Sequence, residues 1–217
     1  NKISNLDLQI QTFGEYYFPK KGQPITMKCP YSEHHDTHRC FYGTTHTSFD
    51  MKKIGIFYGS TTGTTENVAH MIAKCLGVEQ SDVHNTASTP PSATAGYDVL
   101  ILGASTWDAG DLQDDMDTFL NGLQVIDLSG KMVAIFGCGD DSMSDTFCNS
   151  VGEIYHRLHD THAEFFAPFN NDGYTYNNSE SDIKGMTVGL CIDNVNHPED
   201  TEVRIKEWCA DIKQEIC

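Results

Sequence analysis

From residue 53 onward, apolar positions fall into two alternating rhythms. Residues 53–58 (KIGIFY), 98–103 (DVLILG) and 132–137 (MVAIFG) are short apolar runs that end at or just before a glycine, the pattern of strands buried on both faces. Between them, residues 66–76 carry Val68, Ala69, Ile72, Ala73 and Leu76 at helical spacing. Residues 112–120 and 151–158 predict two further helices, the second beginning near Ser144. Weaker strand patterns stand at residues 82–84, 164–167 and 187–191. Residues 201–216 predict a closing amphipathic helix with Val203, Ile205, Trp208, Ile212 and Ile216 on its apolar face. Strands alternating with helices in this way predict an α/β domain whose parallel sheet is covered on both sides. Ligands of such sheets bind beyond the carboxyl ends of the strands, where the topology reverses. The loops after the three strong strands are therefore the candidate site.

The first loop is Gly59-Ser60-Thr61-Thr62-Gly63-Thr64-Thr65, with five hydroxyls, two glycines and no cation, and it runs straight into a helix. Main-chain N–H groups, hydroxyls and the helix N-terminus together suit a phosphate. One such residue alone would be read as a helix cap or turn former; five in seven positions after a buried strand shift the balance to anion binding. A Walker A loop is excluded by the missing Gly-Lys-Ser/Thr, and the dinucleotide pattern G-x-G-x-x-G is missing too. The second loop, residues 104–111 (ASTWDAGD), sets Trp107 at a strand end. A lone loop tryptophan more often packs on its own domain. Beside a phosphate loop it completes a mononucleotide pattern, with phosphate at one end and a stacked flat ring at the other. The third loop is residues 138–145 (CGDDSMSD).

Charge narrows what this site can meet. The 217 residues contain 14 Lys plus Arg against 31 Asp plus Glu, a net charge of −17. That argues against nucleic acid or anionic lipid as a partner and suits a basic protein. No stretch approaches the roughly eighteen apolar residues of a membrane span. All the excess negative charge lies beyond residue 50, because the first 50 residues balance five basic against five acidic side chains. Those residues also contain Pro19, Pro24 and Pro30 and no sustained periodicity. They are expected to form an irregular N-terminal extension, residues 1–50, ahead of a functional domain at residues 51–217. Cys29, His34, His35, His38, Cys40 and His46 in the extension follow no standard zinc-ligand spacing, so a His-rich segment without metal is expected. The eight cysteines are scattered, as free thiols in a reducing compartment would be.

Four stretches carry a family resemblance: residues 54–69 (IGIFYGSTTGTTENVA), 102–115 (LGASTWDAGDLQDD), 136–152 (FGCGDDSMSDTFCNSVG) and 188–213 (VGLCIDNVNHPEDTEVRIKEWCADIK). Taken in order over three quarters of the chain, they resemble the flavodoxins, small FMN-containing electron carriers. The polar interruption at residues 170–183, between two halves of a final strand, resembles the insertion of the long-chain subgroup. The resemblance implies a flavodoxin-like, doubly wound five-stranded parallel sheet in the order 2-1-3-4-5 with helices on both faces. It also implies FMN as cofactor and no catalytic residues, hence an electron-transfer protein and not an enzyme.

Carried over by position, the resemblance implies that Ser60, Thr61, Thr62, Gly63, Thr64 and Thr65 hold the FMN phosphate. Ser105 and Thr106 would lie near the ribityl chain and Trp107 over one face of the isoalloxazine. Gly137, Cys138, Gly139 and Asp140 would line the other side through their main chain. The Asp108-Ala109 peptide, freed by Gly110, would accept a hydrogen bond from N5–H of a neutral semiquinone and favour one-electron steps. One departure stands out. Where the family usually places a stacking Tyr, this third loop is one residue shorter and has Met143, and no aromatic residue lies between Gly137 and Thr146. A thioether on an aromatic face is worth only about 0.3–1.5 kcal/mol, so weaker FMN retention and altered flavin potentials are expected.

Asp108, Asp111, Asp114, Asp115, Asp140, Asp141 and Asp145 stand on or near these loops. Their repulsion of an anionic reduced flavin predicts a low potential for the second electron. The same charge would steer a basic redox partner, such as a flavodoxin or ferredoxin reductase, with transfer slowing as salt rises. A monomer in the cytoplasm is expected, or in the plastid stroma if the source is an alga. The alternative is an FMN-dependent quinone or nitro reductase of flavodoxin-like fold. It would need a substrate pocket over the flavin, and acidic loops without proton donors count against it.

Overall fold

Every apolar run becomes an element of one sheet and its covering helices. The computed structural model describes residues 52–183 and 185–216; the expected extension and its cysteine and histidine residues lie outside the described residues. Along the chain come β1 (Ile54–Tyr58), α1 (Thr64–Leu76), β2 (Val83–Asn85), β3 (Val99–Trp107), β4 (Asp111–Leu112), α2 (Asp114–Leu123), β5 (Met132–Gly139) and α3 (Asn149–Leu158). There follow β6 (Glu164–Phe165), β7 (Asp182–Ile183), β8 (Met186–Thr187), β9 (Leu190–Asp193) and α4 (Thr201–Ile216). The parallel strands run in the order β2-β1-β3-β5, with the fifth position shared by β6 and β9. β6 pairs with the start of β5 (Met132↔Glu164) and β9 with its end (Phe136↔Leu190 to Gly139↔Asp193). This is the expected 2-1-3-4-5 order, with the last strand split in two.

Period-two alternation sends the strand side chains to two cores. Ile56, Ile101, Ala134 and Phe136 meet Val68 and Ile72 of α1 and Ile205 and Trp208 of α4. Phe57, Leu100, Leu102, Val133 and Ile135 meet Met116 and Leu120 of α2 and Val151 and Ile154 of α3. Burial on both faces is why β1, β3 and β5 read as continuous apolar runs. Gly103 is required by this packing, since a Cβ there would fall 1.9 Å from the Phe136 ring on the adjacent strand.

The differences from the pattern-based expectations have local causes. β3 does not stop at Gly103 but runs through polar residues to Trp107 and folds back on β4 (Thr106↔Leu112). Leu112 is therefore strand, and α2 begins at Asp114, where the Gln113 side chain caps it by accepting from Met116 N at 3.0 Å. α3 starts at Asn149, not near Ser144, because Cys148 adopts φ 51° and residues 140–146 close two turns, Met143 N to Asp140 O and Thr146 N to Met143 O, both 3.0 Å. The second half of the last strand is Leu190–Asp193, not residues 187–191, because Thr187 pairs in the β7–β8 hairpin instead. On α4, Val203 is exposed and Arg204 takes the inward position.

Arg204 fastens the segment at residues 170–174 to the end of the sheet. Its Nε donates to Cys191 O at 3.3 Å, Nη1 to Asp172 O at 3.1 Å and Nη2 to Asn170 O. The guanidinium also lies 4.5 Å from the Tyr174 ring centroid and 5.2 Å from that of Phe169. Tyr174 and Tyr176 in turn pack on Phe147, at 5.0 and 4.9 Å between ring centroids.

Candidate functional site

The ends of β1, β3 and β5 bring the three predicted loops to one edge of the sheet, as strand order requires. In the first loop, Ser60, Gly63 and Thr64 are half-buried, Thr61 and Thr62 are exposed, and Thr65 is buried in the first turn of α1. Gly63 caps α1 at φ 90°, a conformation that favours glycine. Its N–H is held by Ser60 Oγ at 3.1 Å. Thr65 Oγ1 is buried and has no hydrogen-bond partner among the described residues. The Cys138 thiol is its neighbour, and contact with the Thr65 hydroxyl offsets part of the rise that burial imposes on that thiol. A buried hydroxyl left unpaired at a helix N-terminus, among hydroxyls and free N–H groups, suits an acceptor group such as a phosphate oxygen. The residues present therefore fit the phosphate end of a mononucleotide.

The second loop is a tight hairpin. Gly110 N donates to Trp107 O at 3.0 Å, with Asp108 at φ 45° and Gly110 at φ 118°. A Cβ on Gly110 would also lie 2.9 Å from Asn149 Nδ2. Trp107 is 37% exposed, which leaves the ring able to meet a ligand. Its Nε1 donates to Ser105 Oγ at 2.8 Å, which orients the indole. Thr106 Oγ1 donates to Ser150 Oγ and accepts from Ser150 N, both 3.0 Å. Thr106 Oγ1 is thus engaged as donor and acceptor, while the Ser105 hydroxyl accepts from Trp107 and keeps its own O–H to donate. A cavity of about 250 Å³ is lined by Thr61, Trp107, Asp108, Asp111, Leu112 and Gln113, with Asp114 at its edge.

In the third loop, Gly137 and Cys138 are buried while Gly139 and Asp140 are partly open. Burial pushes the Cys138 thiol up to about 12, so it stays a neutral wall. The Ser142 hydroxyl, donating to Asp140 Oδ1 at 2.5 Å, holds the Asp140 carboxyl below its ordinary range. Met143 is half exposed at the tip of the turn. The five cysteines among the described residues are free.

Two features escaped the sequence reading. Gln113 is buried and spans from the cap of α2 to Thr61 Oγ1 (3.2 Å), bracing the first loop. A cap that is neither Ser, Thr, Asp nor Asn, inside a stretch expected to be helical, gave no signal. Behind the third loop, Asp141, Asp193, Asn196 and His197 form a hydrogen-bonded cluster. These residues come from two loops more than fifty positions apart, a pairing that no local pattern reveals.

Comparison with known proteins places these features in a family. A flavodoxin family model matches residues 56–208. The chain is 37% identical over 169 residues to a flavodoxin of Haemophilus influenzae, covering 77% of this chain and 97% of that protein. It is 39% identical over 172 residues to flavodoxin 1 of Escherichia coli K12, covering 76% and 96% respectively. The crystal structure of Fusobacterium nucleatum flavodoxin bound to flavin mononucleotide superposes with a TM-score of 0.71 at 28% identity, over 77% of this chain and all of that one.

Proposed function

The chain belongs to the flavodoxin family, and we propose that it is a low-potential FMN carrier that passes single electrons between redox partner proteins. The observation that carries this reading is the buried Thr65 hydroxyl, without a hydrogen-bond partner among the described residues, in a loop whose hydroxyls and N–H groups suit a phosphate. Ser60 to Thr65 hold the phosphate through N–H groups, hydroxyls and the N-terminus of α1. Ser105 and Thr106 lie beside the ribityl chain. Trp107 stacks on one ring face, oriented by Ser105. Gly137, Cys138, Gly139 and Asp140 line the other side.

Bound FMN supplies the electron chemistry, and the residues around it decide how the electrons separate. The Asp108-Ala109 carbonyl would accept a hydrogen bond from the flavin N5–H, in a turn where Asp108 and Gly110 take positive φ. Asp140, kept ionised by Ser142, and the other loop carboxylates disfavour added negative charge on the ring. The same surface favours a redox partner with a basic face, such as a flavodoxin or ferredoxin reductase. We place the carrier as a monomer in the cytoplasm or stroma. No helix among the described residues is long and apolar enough to cross a membrane. A quinone or nitro reductase is the second reading, and no specific observation favours it.

Titration of the flavin-free chain with FMN, followed by quenching of flavin fluorescence, tests the site. One-to-one binding is expected, and Met143→Tyr should tighten it by about three- to tenfold by restoring a stacked ring. A wild-type chain that binds no FMN overturns the reading. A Met143→Tyr variant with unchanged affinity and unchanged reduction potentials removes the role given to Met143.

A further inference from the structure

Behind the third loop, the loop after β9 folds back and grips it. Asp141 N donates to Asp193 Oδ2 at 3.0 Å, and Asn196 Nδ2 reaches Asp140 Oδ1 (2.8 Å), Asp141 Oδ1 (3.1 Å) and Asp193 Oδ2 (2.9 Å). His197 Nε2 meets Asp141 Oδ2 at 3.0 Å, and that oxygen also accepts from Thr175 N at 3.1 Å. Asp193 is fully buried, and its Oδ1 accepts from Val195 N and Asn196 N. Each carboxylate oxygen of the pair thereby has an N–H donor within reach, with Asn196 sharing its two N–H groups among three oxygens, and the cluster clamps the two segments together.

His197 is the imidazole of the clamp, and its contact with Asp141 favours the protonated form. The groups facing His197 are Asp141 from the third loop, Asp193 from β9, Asp200 just ahead of α4 and the Tyr174 ring of the insertion, 5.3 Å away between centroids. Arg204 of α4 lies on that same Tyr174 ring. When protonated, His197 donates to Asp141 whichever tautomer it would otherwise take. When neutral, it keeps this bond in only one of two tautomers and loses its charge. Gly139 and Asp140 on one side of Asp141 in the chain, and Met143 on the other, are residues proposed to meet the flavin ring.

We propose that Asp141 is a positioning residue for the flavin-lining loop, and that His197 anchors it in its protonated form, so that FMN is held more tightly below the His197 titration than above it. The inference rests on the FMN-carrier reading and names a regulation of that same site. The Asp141 carboxylate raises the His197 pKa, outweighing the opposing effect of desolvation, and Asp193 and Asp200 add to the rise. The sign follows from linkage. A raised imidazole pKa contributes folded-state stability that is complete below the unfolded value of about 6.5 and is lost as pH rises through the folded value. By reciprocity, if protonation favours FMN, then FMN raises the His197 pKa.

The test compares FMN dissociation constants of the full-length wild type and His197→Gln between about pH 6 and pH 9, the range around the imidazole titration. Glutamine can donate to Asp141 at every pH, and its curve removes the titration of the FMN phosphate itself. The wild-type constant should rise about three- to tenfold more than that of the variant, equivalent to a His197 shift of about half to one unit on FMN binding. NMR of the His197 ring in the wild type, with and without FMN, should show that upward shift and needs no variant. Parallel pH curves, or a His197 titration unmoved by FMN, overturn the inference while leaving the carrier reading intact. Failure to bind FMN at any pH removes both.

Discussion

Replacing Thr65 by valine should weaken FMN binding about 10- to 100-fold while leaving the flavin-free protein as stable as before, or slightly more so. The two effects share one cause. In the free chain, Thr65 Oγ1 is buried without a hydrogen-bond partner among the described residues, so exchanging it for a methyl of the same shape removes a desolvated polar group. In the complex that hydroxyl would donate to a charged phosphate oxygen, a bond worth about 1.5–3 kcal/mol. Fluorescence titration reads the affinity and thermal melting reads the stability. An affinity within twofold of wild type would show that Thr65 does not face the phosphate, and a marked loss of stability would show that its hydroxyl is satisfied within the protein.

Arg204→Met should destabilise the fold by about 3 kcal/mol, a fall of roughly 6–12 °C in melting temperature for a domain of this size. Methionine can fill the space between Tyr174 and Phe169, but the carbonyls of Asn170, Asp172 and Cys191 would lose their common donor. Lysine should recover only part of the loss, because one ammonium cannot reproduce the planar fork that reaches all three. Because Arg204 fixes the insertion and not the phosphate loop, the variant should still bind FMN at low temperature. A melting temperature within about 2 °C of wild type would correspond to less than 1 kcal/mol and would mean that the insertion is held by its tyrosines alone.

How much the sequence reveals depends on whether a signal is local. β1, β3 and β5 are legible because burial on both faces leaves no polar position to interrupt them. The first loop is legible as a phosphate candidate because its hydroxyls and glycines are concentrated in seven consecutive residues. The interrupted last strand could be anticipated from a polar stretch between two apolar ones, although its second half lies further on than expected. β4 was hidden because the end of β3 is polar and the return strand only two residues long. The start of α3 was hidden because Cys148 takes a left-handed conformation that its residue type does not announce. The inward turn of Arg204 shows a long cation buried where an apolar residue was expected, satisfied by carbonyls that only the folded insertion supplies. In the site itself, the Ser105 and Thr106 hydroxyls were legible as candidates, but their partners, Trp107 Nε1 and Ser150, depend on tertiary placement. The Gln113 brace and the His197–Asp141 clamp join distant segments and leave no periodic trace.

The measurement that bears most directly on the one-electron carrier is an anaerobic stepwise reduction of the FMN-loaded protein, followed by visible absorption. The yellow oxidised form should pass through a blue, one-electron-reduced stage before bleaching, and NAD(P)H added alone should leave the yellow form unchanged until a reductase is supplied. A direct two-electron bleach with no blue stage, or bleaching by NAD(P)H without a reductase, would contradict the carrier and point to a flavin enzyme instead.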